Sequence, residues 1–215
     1  LRELAIRALT DRKSQFAKLN SESLARFLDA ESHRVRVQTL ISLGRLGDIS
    51  VANAIIPLAD TSGTSRPDPA KPHADQVIPH LAMKALVQLG AVDACLDAIE
   101  GEHWRGALRV LLSLHSPAAV DRLVQRLNSD QSEERRAEIL VTLMRLYQYE
   151  TPYDGSWWGI RPDTTGPYYD PMKWEKSDEI QSVLVTALQE ADAATATRLI
   201  QELERHQVQL SGTPT

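Results

Sequence analysis

RVRVQTLISLGRLG, residues 34–47, places Val35, Leu40, Leu43 and Leu46 on one face at helical intervals. Apolar positions recur at three and four rather than at two, so the stretch reads as an amphipathic helix and not as a strand. The pair Leu43–Gly44 reads as its end, because glycine readily takes the left-handed conformation that closes a helix. The same shape recurs on both sides. ELAIRALTDR (3–12) carries Leu9, HLAMKALVQLG (80–90) carries Leu89–Gly90, WRGALRVLLSLH (104–115) carries Leu114, and RRAEILVTLMRLY (135–147) carries Leu146. The leucines are spaced by 34, 46, 25 and 32 residues. The longest interval holds a Pro-, Ser- and Gly-rich insertion at 61–75, TSGTSRPDPAKPHAD. Without it the unit returns to the scale of two-helix repeats, about 30 residues.

A shorter amphipathic stretch precedes each of the last four of these helices: SESLARFLDA (21–30), DISVANAIIPLA (48–59), AVDACLDAI (91–99) and SPAAVDRLVQRL (116–127). Asp48 is a candidate N-cap, as is Ser116 with Pro117 behind it, and Asp130 with Glu133 has the form of a capping box. Two more helices follow at SDEIQSVLVTALQEA (177–191) and AATATRLIQELERH (193–206), and QLSGTPT (209–215) reads as a frayed end. Strand signals are absent. The expected fold is all-α, a right-handed α-solenoid of HEAT-like helix pairs forming a single domain over 1–215. A helix pair cannot bury its apolar stripe alone, and stacking joins the stripes into one core.

One segment breaks the pattern. Residues 151–176, TPYDGSWWGIRPDTTGPYYDPMKWEK, hold Pro152, Pro162, Pro167 and Pro171, each incompatible with a helix interior. With the flanking tyrosines, Tyr147, Tyr149, Tyr153, Trp157, Trp158, Tyr168, Tyr169 and Trp174 are 8 of the 11 aromatic residues of the chain. Such aromatic content argues for an ordered irregular segment packed on a helical scaffold. Trp157, Trp158, Arg161, Asp163, Tyr168, Tyr169 and Trp174 are the candidate ligand- or partner-binding residues. Aromatic faces stack on apolar ring faces, while Arg161 and Asp163 can bond hydroxyls or charges. The same residues could instead pin a crossover segment onto the scaffold, with their polar atoms bonding its backbone.

Bulk properties exclude several functions. A net charge of −5 and a pI of about 5.7 give no basic footprint for nucleic acid or an anionic membrane, and no run approaches the ~18 apolar residues of a membrane span. The single cysteine, Cys95, forbids an intrachain disulfide and reads as a core thiol. The histidines His33, His73, His80, His103, His115 and His206 include no i, i+4 pair. Asp154, Asp163 and Asp170 match no EF-hand spacing. No nucleophile elbow or phosphate loop occurs, and Glu133 and Glu134 sit where a helix start favours them. The region is expected to be non-catalytic, without a cofactor or metal of its own.

The helix pairs with terminal Leu-Gly resemble HEAT repeats over nearly the whole chain. YDGSWWGIRPDTTGPYYDPMKWE, with RAEILVTLMRLYQYE and IPHLAMKALVQLGAVDACLDAI, resembles a region of large multidomain proteins of planctomycetes and related bacteria, named membrane-bound dehydrogenases or haem-binding-domain proteins. In that family a secretion signal, a sugar-dehydrogenase-like β-propeller, HEAT repeats and a c-type cytochrome with CxxCH share one chain. The resemblance implies a periplasmic or secreted parent. It places redox chemistry in other modules, because this sequence has no CxxCH and no propeller strands. The implied role is a scaffold for those modules or for a protein partner, with carbohydrate binding through 151–176 as the alternative. The chain begins at Leu1 within a helical pattern. It is therefore expected to be a piece of a longer protein and to pair through the apolar surface of that end.

Overall fold

The computed structural model describes residues 1–60, 76–155 and 166–210. The insertion at 61–75, the last residues 211–215, and Trp157, Trp158, Arg161 and Asp163 lie outside that set. The described residues are mostly helical, as the periodicity predicts, and they form two compact units, Leu1–Leu114 and His115–Thr215. Among them, no helix is long and apolar enough to cross a membrane.

Unit 1 holds α1 (Arg2–Thr10), α2 (Ser21–Ala25), α3 (His33–Leu46), α4 (Ala52–Ala59), α5 (Val77–Leu89), α6 (Val92–Ala98) and α7 (Trp104–Leu111). Helix α1 packs on α3, α3 on α5, and α5 on α7, while α4 lies against α5 and α7. The core is Leu40, Leu43, Ile55, Leu86, Leu96, Ile99 and Leu111, all fully buried. Thr10 and Ser42 share a buried hydrogen bond of 2.7 Å across α1 and α3. Cys95 is 0% exposed, and burial pushes its thiol up to about 12, the inert core thiol the sequence implies.

Helix α3 does not end at Gly44. It runs to Leu46 and closes on Gly47, whose φ of 73° is the left-handed cap conformation. Gly44 serves packing instead: a Cβ there would meet Ala85 Cα on α5 at 3.3 Å and also the Gln88 side chain. Leu89–Gly90 does close its helix, with Gly90 at φ 62°.

Unit 2 holds α8 (Pro117–Ser129), α9 (Glu133–Leu146), β1 (Gln148–Glu150), β2 (Pro171–Lys173), α10 (Ser177–Glu190) and α11 (Ala193–Arg205). Helix α9 is central, in contact with α8, α10 and α11. Its N-cap is Ser132, whose hydroxyl accepts from Arg135 N–H at 3.3 Å. The N-cap expected at Asp130 therefore lies two residues later and the capping box with Glu133 does not form, because the Asp130 carboxylate accepts from Ser132 N–H at 2.8 Å in a turn outside the helix. Ser116 holds the N-cap position of α8 with Pro117 behind it, without a side-chain cap bond.

The expectation that strands are absent needs correction. β1 and β2 pair antiparallel, Gln148 with Lys173, Tyr149 with Met172 and Glu150 with Pro171. Three-residue strands are too short to show a period of two, and Pro171 suits a pairing with no further neighbour.

Candidate functional site

Helix α9 ends with carbonyls that have no partner inside the helix. Those of Arg145 and Leu146, together with the next two along the chain, Tyr147 and Gln148, are taken up by four side chains of unit 2. The Tyr168 hydroxyl donates to Arg145 O at 2.8 Å, and Trp174 Nε1–H donates to Leu146 O at 2.7 Å. The Ser177 hydroxyl donates to Tyr147 O at 2.7 Å and accepts from Trp174 N–H at 2.9 Å. His115 Nε2 lies 2.9 Å from Gln148 O. A carbonyl can only accept, so the neutral ring carries its hydrogen on Nε2 and leaves Nδ1 as an acceptor.

The rings that make these bonds also pack on one another. His115 sits edge-on to Tyr149, Tyr168 and Trp174, with centroids 5.9, 6.0 and 5.3 Å away. The Arg145 guanidinium lies 4.3 Å from the centre of the Tyr168 ring. The strand pair closes the segment behind them. Tyr169 N–H donates to a Glu150 carboxylate oxygen at 2.9 Å, and Thr151 N–H donates to Asp170 O at 3.3 Å. Asp170 holds φ at 45°, a conformation that Asp tolerates better than most residues. Beside this cluster, His115, Tyr149, Trp174 and Glu175 line a shallow cavity of about 440 Å³. Lys176 joins Asp121 of α8 to Glu179 of α10, the latter at 2.7 Å, and both carboxylates raise its pKa.

Of the seven candidate residues, Tyr168 and Trp174 meet in this cluster. Tyr169 contributes its backbone N–H to the Glu150 carboxylate, and the other four lie outside the described residues. Sequence reasoning missed His115 and Arg145. Neither carries a local signal, since each partner is contributed from a distant part of unit 2. Among the described residues no group of histidine, cysteine or carboxylate side chains is arranged to hold a metal.

Burial lowers the His115 pKa from its usual value, and the Arg145 charge adds to this against the opposing bond to Gln148 O. Burial also lowers His206, with Glu202 opposing and Arg145 and Arg205 adding. A histidine depressed in the fold binds more protons when unfolded. Its stabilisation is present above the unfolded value, about 6.5, and is lost as pH falls through the folded value. The urea midpoint of the unit 2 transition is therefore expected to drop on going from neutral to mildly acidic pH. His115→Gln, which offers an amide donor in place of Nε2–H, is expected to flatten that profile. A profile as steep in the variant as in the parent would assign the effect elsewhere.

No family model matches the chain, and comparison with curated proteins yields no matching relative.

Proposed function

We infer that this region is a non-catalytic scaffold, a helical-repeat domain that offers a helix face to another module or protein. The observation that carries this reading is the order of neighbours in unit 1. Helices α1, α3, α5 and α7 each lie against the next, and α4 touches both α5 and α6 behind them. Stacked HEAT-like pairs in a right-handed solenoid would produce that order, with one row of helices free to face a partner. The cap on α9 supports the same reading for the aromatic segment, since the polar atoms of Tyr168 and Trp174 are occupied by backbone carbonyls. On the resemblance given above, the parent is a secreted multidomain dehydrogenase with a c-type haem module, and its redox chemistry lies outside residues 1–215. Cross-linking of the protein in the cell that makes it, read by mass spectrometry, tests this. Links from Lys84 to residues beyond this region or to another protein are expected, and links confined to 1–215 would contradict it.

A second reading, binding of a small polyhydroxyl ligand, rests on the cavity at His115, Tyr149 and Trp174. Two aromatic rings and the exposed Glu175 carboxylate are suited to a sugar face and its hydroxyls. Titration with mono- and oligosaccharides, followed by tryptophan emission, should then saturate and be abolished by Tyr149→Ala. An unchanged emission removes this reading.

A further inference from the structure

The protein is acidic overall, yet α3, α5 and α7 contain no Asp or Glu. Their charged residues are Arg34, Arg36 and Arg45 on α3, Lys84 on α5, and Arg105 and Arg109 on α7. The acids of unit 1 lie on the other helices and the connections. Helix α1 and the residue that follows it answer two of these cations: Glu3 pairs with Arg34 at 2.9 Å and Asp11 with Arg45 at 3.0 Å. Arg36 donates to Leu28 O at 2.9 Å, and Arg105 stacks on Trp104 with its guanidinium carbon 4.2 Å from the ring centre.

Lys84 and Arg109 are different. Among the described residues neither makes an ion pair or hydrogen bond. Lys84 is exposed. Arg109 is half-buried, and its Nη1 is enclosed without an acceptor. The enclosed Nη1 is out of a partner's reach, but the rest of the guanidinium is not enclosed and has no acceptor either, so an incoming carboxylate would bond those N–H groups and balance a half-buried charge. One helical turn past Arg109, Ser113 helps line a cavity of about 500 Å³ with Ile41, Leu81, Met83, Val87 and Lys84. The cavity wall is mainly apolar, with Lys84 at its lining and Arg109 one turn away on α7.

We propose that the α3–α5–α7 face docks an acidic, amphipathic segment of a partner protein, with apolar side chains in the Ile41–Leu81–Val87 cavity and a carboxylate on Arg109. This rests on the scaffold reading and names the chemistry of its partner. A nucleic acid is the poorer fit. Backbone phosphates call for a row of unpaired cations, whereas this face has two, and the space beside them is apolar.

The test is selection of binders from a random peptide library on the whole chain. Enriched peptides are expected to combine Asp or Glu with Leu, Ile or Phe, and to bind more weakly as salt rises. Their affinity should fall about tenfold or more for Arg109→Met and again for Lys84→Glu. Arg109→Met should leave the urea midpoint unchanged or raised, because it removes an unsatisfied buried donor, so lost binding would not reflect lost folding. Library enrichment without acidic residues, no enrichment, or affinities indifferent to both substitutions would overturn the proposal. Binding of an oligothymidine as tight as that of the best peptide would do the same and point to nucleic acid. If the cross-links of Lys84 to a partner persist while acidic peptides fail, the scaffold reading stands and this choice of partner chemistry falls.

Discussion

Tyr147→Ala is expected to destabilise unit 2 by about 4 kcal/mol, the range for removing a large buried aromatic. Tyr147 follows the last residue of α9, is 1% exposed, and ranks among the largest fully buried side chains. Its hydroxyl donates to Gln181 Oε1 at 3.1 Å and lies 3.4 Å from Gln209 O, so the ring links the end of α9 to α10 and to the stretch after α11. Alanine would open a cavity in the middle of those elements and leave the Gln181 carbonyl without this donor. Tyr147→Phe keeps the ring and deletes only the hydroxyl, for a loss of about 1 kcal/mol. Urea unfolding followed by circular dichroism separates the two. A Tyr147→Ala midpoint close to that of Tyr147→Phe would mean that the ring is not the keystone described.

Gly106→Val is expected to cost unit 1 about 3 kcal/mol, the upper part of the range for overpacking a closed contact. A Cβ on Gly106 would stand 2.7 Å from Asp60 N and 3.0 Å from the Ala59 carbonyl carbon. Those are backbone atoms at the end of α4, which cannot swing aside as a side chain can, so α4 and α7 would have to separate. Gly44→Ala makes the control. Its Cβ would press chiefly on the far end of the Gln88 side chain, which can rotate away, and the loss should be smaller. Thermal unfolding of both variants checks the order. A Gly44→Ala variant less stable than Gly106→Val would refute the assignment of close approach to α4 and α7.

Much of the fold was legible because a helix writes its packing into the sequence at a period of 3.6. Val35, Leu40 and Leu43 announce the buried face of α3, and the structure buries all three. The end of α3 was misread because Leu43–Gly44 and Leu89–Gly90 look alike in sequence. One glycine makes room for a neighbouring helix and the other makes a left-handed cap, and only the three-dimensional neighbours of Gly44 distinguish them. The strand pair was illegible for lack of length. The aromatic segment was legible as an exception but not as a cap, because the acceptors of Tyr168, Trp174 and His115 are backbone carbonyls, which every residue carries alike. A ring that binds a ligand and a ring that caps a helix have the same spelling.

The most direct measurement of the central claim, that the aromatic segment caps α9, is the stability of Trp174→Phe. Phenylalanine keeps an aromatic ring and removes the Nε1–H that donates to Leu146 O at 2.7 Å. A loss of about 1–3 kcal/mol in urea unfolding, from an unsatisfied carbonyl and a smaller ring, is the predicted result. A Trp174→Phe protein as stable as the parent would contradict the account, because a tryptophan held for a ligand can be replaced without cost to the fold.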